Sequence, residues 1–130
     1  MAYVLTSYGE IIDKYTILEI KLENITDVNK RVHIQQDLDA LAPTVIALKE
    51  RGGIVNLKQD LKTVNQALWL IEDHIRVKER LVQFDEEFIA LARSVYIKND
   101  ERAQIKYKIN LLTNSPLIEE KSYKEKSNTT

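Results

Sequence analysis

A long run of regularly spaced apolar residues in the middle of the chain is the feature that most restricts its fold. From Leu57 to Leu81, apolar side chains recur at alternating steps of four and three residues, and no glycine or proline interrupts them. This spacing is typical of a helix that packs lengthwise against other helices. We therefore predict a long central helix over about residues 57–82. Its seam consists of Leu57, Leu61, Val64, Leu68, Ile71 and Ile75.

A capping box predicts the first helix, with Ser7 as the N-cap and Glu10 as the returning acid. The helix should run to about Ile25. Its apolar residues lie on more than one side, which predicts neighbours on two flanks or one face kept for a partner chain. These residues are Ile11, Ile12, Tyr15, Ile17, Leu18, Ile20, Leu22 and Ile25.

Proline and glycine set the limits of the second helix. Asp27 should cap its N-terminus. Pro43 should kink it, or divide it into two helices near Leu41–Pro43, because proline removes an intrahelical hydrogen bond. Gly52-Gly53 should end it, since glycine readily takes the left-handed conformation of a C-terminal cap.

Two shorter helices are predicted after the central one. Asp85 should cap the fourth helix, and Asn99-Asp100 should separate it from a fifth that ends at Asn114-Ser115-Pro116. No sustained alternation of apolar and polar residues predicts a strand. The sequence therefore predicts an all-α antiparallel bundle of about five helices, with residues 1–118 as one domain. Residues 119–130 are almost entirely polar and should be a disordered tail.

Composition excludes several classes of protein. The 130-residue chain has a net charge of −1 and no cysteine, so thiolate zinc sites, disulfides and cysteine nucleophiles are excluded. No segment has the surplus of Lys and Arg that nucleic acids or anionic membranes select for. The first residues lack a signal-peptide pattern, and no apolar run approaches the roughly 18 residues of a transmembrane helix. We expect a cytoplasmic protein whose partner is itself or another protein, with neither nucleic acid nor membrane as a partner.

No arrangement of catalytic or metal-binding residues is recognisable. His33 and His74 are the only histidines, and neither has a second histidine at the spacing of a metal motif. Helical carboxylates hold magnesium in all-α nucleotide pyrophosphohydrolases, but the paired E-x-x-E and E-x-x-D segments of those enzymes are missing. We therefore expect no cofactor, and Mg²⁺ only if the carboxylates line a ligand cleft.

Three blocks of sequence carry a resemblance to a known family. They read GEIIDKYTILEIK from Gly9 to Lys21, LWLIED from Leu68 to Asp73, and ARSVY followed by ND, RA, K and IN between Ala92 and Asn110. Together they resemble a family of small uncharacterised bacterial proteins, some encoded near surface-polysaccharide genes, with related reading frames in phages. The resemblance implies relatives but no particular reaction.

The matched blocks contain polar side chains as well as the apolar seam. Such residues either form a buried charge network that sets the register of the helices, or line a shared cleft. The near balance of the two signs of charge favours the network. The candidate ligand-binding residues are Asp13, Lys14, Glu72, Asp73, Arg76, Arg93, Tyr96, Asn99, Asp100, Arg102 and Lys106.

Two functional hypotheses follow. The first is a non-enzymatic, homo-oligomeric binding or assembly module. The alternative is an enzyme or sensor for a small phosphorylated or sugar-linked metabolite, in which cations hold the anion and carboxylates hold a metal or act as a base. A structure that placed the candidate residues around one open pocket would reverse this order. The cleft of the alternative is lined by Arg76, Arg93, Arg102, Glu72 and Asp73.

Trp69 tests how many neighbours the central helix has. It lies one step from the seam residue Leu68, where a single partner helix would leave it largely exposed. Helices on both flanks would bury it. We predict that Trp69 is mostly buried, against the first helix or against the pair of helices that follows the central one.

Overall fold

The computed structural model describes residues 2–121, which form four α-helices and no strand. The all-α prediction is confirmed. Most of the predicted disordered tail, residues 122–130, lies outside the described residues. None of the helices in the described part of the chain is long and apolar enough to cross a bilayer. The helices are α1 (Tyr8–Asn24), α2 (Val28–Leu48), α3 (Ile54–Arg80) and α4 (Glu86–Leu112).

The helix N-termini form where local sequence signals predict them. Each of the three predicted side-chain caps accepts a hydrogen bond from the backbone N–H three residues further on. These caps are Ser7, Asp27 and Asp85. The α2–α3 turn ends at Gly53, whose φ of 86° lies in the left-handed region that glycine adopts without strain.

The prediction of five helices is wrong for the described residues, because α4 continues without a break through Asn99-Asp100. Asn and Asp favour helix caps, but intrinsic propensity is a weak preference that packing overrides. Both residues have neighbours in the folded chain. The Asn99 side chain lies beside Arg102, and Asp100 pairs with Lys121 at 3.0 Å.

The division of the second helix is also wrong, because α2 is one helix from Val28 to Leu48 with Pro43 inside it. Buried Leu38 and Val45 lie on either side of the proline, so packing holds both halves in place. A bend of the helix axis at Pro43 stays a prediction.

α1, and not the long central helix, is the element that all the others share. It packs against α2, α3 and α4, which agrees with its apolar residues on several sides. α3 and α4 form an antiparallel hairpin. Lys78 pairs with Asp85 and Glu87 at its tip, and Arg51 reaches the Leu112 carbonyl oxygen at its base.

The buried core occupies only one end of the α3–α4 hairpin. One cluster joins α1, the end of α2 and the base of the hairpin, and the other lies between α1 and α2. Between Asn65 and Ile109 no residue is fully buried. The core residues are Ile12, Leu48, Ile54, Leu61 and Ile109 in the first cluster and Leu18, Ile34 and Leu38 in the second.

The chain after α4 folds back onto the start of α1. Ser115 Oγ accepts a hydrogen bond from the Tyr8 backbone N–H at 3.1 Å. Ser7 Oγ donates to Glu119 Oε1 at 2.8 Å. The described beginning of the predicted tail therefore contacts the N-terminus of α1.

Candidate ligand-binding site

A buried carboxylate lies where α1, α3 and α4 meet. The Asp13 side chain is 1% exposed, and its two oxygens accept hydrogen bonds from Arg102 Nε at 3.0 and 3.1 Å. Asn65 Nδ2 donates to Asp13 Oδ1 at 2.9 Å, and Lys106 Nζ lies 3.7 Å from Oδ2. An ionised carboxylate is buried at tolerable cost only with partners of this kind. The network therefore fixes how the three helices meet.

Neighbouring side chains extend the network in both directions. Thr16 Oγ1 accepts a hydrogen bond from Asn65 Nδ2 at 3.0 Å and donates to the Asp13 carbonyl oxygen at 2.8 Å. Lys106 pairs with Glu10 at 2.6 Å. Two carboxylates and two cations are thus joined, and their charges cancel.

A close approach of α1 to α4 lets these side chains reach each other. The Gly9 N–H donates to Asn110 Oδ1 at 2.7 Å. A Cβ at position 9 would lie 2.6 Å from the Lys106 carbonyl oxygen, so only glycine fits there. Asn110 Nδ2 is buried and has no hydrogen-bond partner among the described residues.

Arg102 is held in its charged form and in one orientation. Its hydrogen bonds to Asp13 raise the pKa of the guanidinium above its ordinary value. Burial opposes this shift, and the charges of Asp13 and Glu10 add to it. Among the described residues, however, Nη1 has only Asn99 Oδ1 at 3.5 Å as a partner, so this nitrogen keeps donor capacity for a further acceptor.

A cavity of about 400 Å³ opens beside the network, between α1 and the α3–α4 hairpin. One wall is apolar and includes the Trp69 ring. The other carries amides and charged groups, among them Arg102. The residues that border the cavity are Ile17, Ile20, Leu68 and Trp69 on the apolar side and Asn65, Glu72, Asp73, Arg76, Asn99 and Arg102 on the polar side.

The charged groups at the mouth of the cavity are loosely held. Arg76 and Glu72 form an exposed i,i+4 pair at 3.5 Å, which constrains neither side chain strongly. Asp73 takes part in no ion pair within residues 2–121. The mouth therefore offers a cation and two carboxylates that a ligand can engage.

The structure separates the eleven predicted site residues into three groups. Glu72, Asp73, Arg76, Asn99 and Arg102 border the cavity. Asp13 and Lys106 belong to the network behind Arg102. The other four do not border it: Lys14, Arg93 and Tyr96 are exposed, and Asp100 pairs with Lys121. The network and the cleft are therefore adjacent and share Arg102.

A family comparison covers nearly the whole chain. Residues 2–130 match DUF6165, a family of unknown function. The chain belongs to this family. No curated protein and no solved structure matches it. Membership of DUF6165 confirms the predicted likeness to an uncharacterised family, whereas the bacterial or phage origin and the neighbouring polysaccharide genes stay predictions.

Several site residues of this DUF6165 chain were not predicted from its sequence. Asn65 and Thr16 complete the buried network, and Gly9 and Asn110 bring α1 and α4 together. Asn65 had a detectable signal, because it is a polar residue inside the apolar stripe of α3. Trp69 is mostly but not fully buried, as predicted, and it also forms a wall of the cavity, which was not predicted.

Two further findings concern metals and a second cavity. In residues 2–121, no group of three or more His, Asp or Glu side chains is arranged to hold a metal ion. A larger cavity of about 690 Å³ lies on the other side of Arg102 and Asn99. Its outer wall is formed by Glu119, Glu120 and Lys121 rather than by a helix. The walls of the smaller cavity, by contrast, are all formed by residues of the helices α1, α3 and α4.

Proposed function

We propose that the cavity between α1 and the α3–α4 hairpin binds a small phosphorylated or sugar-linked metabolite. One observation carries the proposal: five candidate residues from two distant sequence blocks border a single open cavity. Charged residues that only solvate a helix surface have no reason to converge in this way. This convergence supports the second of the two hypotheses drawn from the sequence, although Arg93 of the predicted cleft lies away from the cavity. The five residues are Glu72, Asp73, Arg76, Asn99 and Arg102.

The walls of the cavity suit a ring with one apolar face and several hydroxyl groups. Trp69 and Leu68 offer a flat apolar surface on which such a ring can lie. Asn99 and the carboxylates of Glu72 and Asp73 can accept hydrogen bonds from hydroxyl groups. A volume of about 400 Å³ falls within the ordinary range for small-molecule sites.

Two arginines supply the anion-binding part of the proposed site. The planar guanidinium group matches phosphate oxygens in pairs, which favours arginine where phosphate is recognised. Asp13 already holds Arg102 in one orientation, so little side-chain conformational entropy is lost when a ligand binds to it. Arg76 lies at the mouth and is free to turn towards a phosphate. If Mg²⁺ takes part, Glu72 and Asp73 are the carboxylates that would bridge it to the phosphate.

Isothermal titration calorimetry tests the proposal directly. We would titrate the chain with sugar phosphates, nucleotide sugars and inorganic phosphate, each with and without Mg²⁺, and follow Trp69 fluorescence in parallel. We expect saturable binding of at least one phosphorylated sugar and a change in Trp69 emission, since the ring forms a wall of the cavity. An absence of binding across the whole set would overturn the proposal.

Matched arginine variants assign the binding to the cavity. Arg76→Gln should weaken binding about tenfold, which corresponds to the loss of one charge-assisted contact. Arg80→Gln, one turn further along α3 and not on the cavity border, should leave binding unchanged. Equal effects of the two variants would show only a general dependence on positive charge.

We also propose that the chain works in the cytoplasm with itself or another protein as its partner, and without nucleic acid or membrane. Its net charge of −1 supports this, because phosphate-rich surfaces select for an excess of cations. We assign the homo-oligomeric role to another surface, the side of the α3–α4 hairpin that faces away from the cavity.

A further inference from the structure

The outer half of the α3–α4 hairpin lacks a core of its own. No residue between Asn65 and Ile109 is fully buried, although each helix of the hairpin is 27 residues long. α1 and α2 cover only the base. Two helices packed along a single seam bury little apolar surface, and a bundle needs further helices to complete its core.

The two broad sides of the hairpin are distinguished by the residues that border its cavities. Trp69, Arg76 and Asn99 face the ligand cavity on the α1 side. Thr63, Glu101 and Gln104 border a depression on the opposite side. Because seven residues make almost two full turns, residues seven or fourteen apart lie on the same side of a helix. The opposite side can therefore be followed outward from these positions.

An exposed apolar patch occupies the outer part of this opposite side. Leu70 and Val77 follow Thr63 by seven and fourteen residues, Leu81 lies about one turn after Val77, and Ile97 precedes Gln104 by seven. Leu70 is 66% exposed, Val77 39%, Leu81 58% and Ile97 46%. Ala90 lies seven residues before Ile97, on the same face. These four side chains, with Ala90, are called the outer patch below.

Two charges beside the outer patch form a self-complementary pair. Arg93 lies three residues after Ala90 on α4, and Glu86 lies on the same side of α4, seven residues before Arg93. Within residues 2–121, neither side chain takes part in an ion pair.

The acid of this pair precedes the base by seven residues, so the midpoint of the pair lies between residues 89 and 90 on α4. The Lys78 ion pairs with Asp85 and Glu87 put this midpoint at nearly the level of Val77 on α3. A two-fold axis through that level would bring Glu86 of each copy to Arg93 of the other.

We propose that the outer patch binds the same face of a second copy, so that the outer ends of two hairpins cross antiparallel as a short four-helix arrangement. α3 then lies over α3 of the second copy, and α4 over its α4. Glu86 meets Arg93 of the second copy, and Val77 lies near the two-fold axis. A face that meets itself about a two-fold axis is the commonest form of homodimer interface. The ligand cavity stays open on the other side.

Sedimentation velocity on the full chain tests whether the dimer exists. We expect a mass twice that of the 15.1 kDa chain at micromolar concentration. Leu70→Asp and Val77→Asp should each weaken dimerisation by about tenfold or more, because each places a charge inside a desolvated apolar interface. Circular dichroism spectra that match the wild type would show that both variants are folded.

Val55→Asp is the matched control. Val55 is a similarly exposed apolar residue of α3, at 57%, but it lies at the base of the hairpin, more than twenty residues from Val77. We expect this variant to remain a dimer. A wild-type chain that stays monomeric overturns the proposal, as does a dimer that Val55→Asp weakens as much as Val77→Asp does.

A charge exchange tests the orientation. Glu86→Arg alone should weaken the dimer, since the introduced guanidinium would face Arg93 of the second copy, and adding Arg93→Glu should restore it. In a parallel arrangement of the two tips, residue 86 would not face residue 93 of the second copy, so the double variant would not recover the dimer. That result would overturn the antiparallel assignment. Because no residue of the ligand cavity is changed, ligand binding reports separately on the proposed function.

Discussion

At the scale of single residues, Arg102 links stability to ligand binding. One edge of its guanidinium binds the buried Asp13 carboxylate. Nη1 lies beside Asn99, which borders the cavity. A residue that only bound ligand would be free to move in the empty protein. Arg102 is fixed by its partner, so its loss should cost the protein stability as well as affinity.

The first prediction concerns this buried pair. Arg102→Gln should lower the free energy of unfolding by about 3 kcal/mol, because it leaves a carboxylate buried without its main partner. Adding Asp13→Asn should recover much of the loss, since the uncompensated charge is then gone. Urea unfolding of the two variants and the wild type measures both effects. If the double variant is less stable than the single one, the pair does not act through charge compensation.

The sequence indicated which residues belong to this network better than it indicated how they are arranged. Asp13, Arg102 and Lys106 were all among its candidates, because matched polar residues mark positions that packing alone does not explain. Their partner Asn65 was missed, although its position inside the apolar stripe of α3 was a signal for a buried polar contact. Side-chain pairing across helices depends on contacts 52 residues apart in the case of Asp13 and Asn65.

At the scale of helices, the predictions that held depend on local chemistry. Ser7, Asp27 and Asp85 cap helices because each side chain bonds to a backbone N–H three residues away. Asn99-Asp100 has the same residue types but lies inside α4. Whether such a pair ends a helix depends on the packing of the turns on either side, which local sequence does not encode.

The contact between α1 and α4 provides the second prediction. Gly9→Ala should lower the free energy of unfolding by about 1–3 kcal/mol, as overpacking of a close contact usually does. Its Cβ would meet the Lys106 carbonyl oxygen and the Asn110 side chain within 2.8 Å. Gly52→Ala is the control, because nothing lies within 4 Å of its Cβ position. Thermal unfolding that ranks Gly52→Ala as the more harmful change would contradict this account.

The tip of the hairpin provides the third prediction, which concerns pH. The hydrogen bond from Lys78, helped by that from the Phe88 N–H, lowers the pKa of Asp85 below its ordinary value of 3.8. A lowered folded-state pKa means that Asp85 stabilises the fold above pH 3.8 and loses this contribution as pH falls through the folded value. NMR titration of the Asp85 carboxyl group should give a midpoint below 3.8. Lys78→Gln should raise that midpoint. An unchanged midpoint would show that the hydrogen bond from the Phe88 N–H alone lowers the pKa of Asp85.

At the scale of the whole molecule, the chain divides into a well-packed end and a projecting hairpin. α1 contacts every other helix, and its broad apolar surface correctly predicted neighbours on more than one flank. The seam of α3 predicted a long helix but not where its burial stops. Periodic apolar residues continue through Ile71 and Ile75, although fully buried residues end at Asn65. Periodicity shows which side of a helix packs, and not how many neighbours it has.

The fourth prediction follows from this division. Local opening costs least where few side chains are buried, so backbone amides of the outer hairpin should exchange with solvent faster than those at the base of the bundle. We expect hydrogen exchange of the Val77→Asp variant to show slow amides in α1 and residues 54–65, and faster ones in residues 70–96. In the wild-type chain, rising protein concentration should slow exchange in residues 70–96 alone, because a second copy covers only the outer patch. Uniform protection of the α3 amides in the variant would contradict this prediction. It would show that α3 and α4 keep the outer hairpin closed without a second copy, and that the number of buried side chains does not determine where the protein opens.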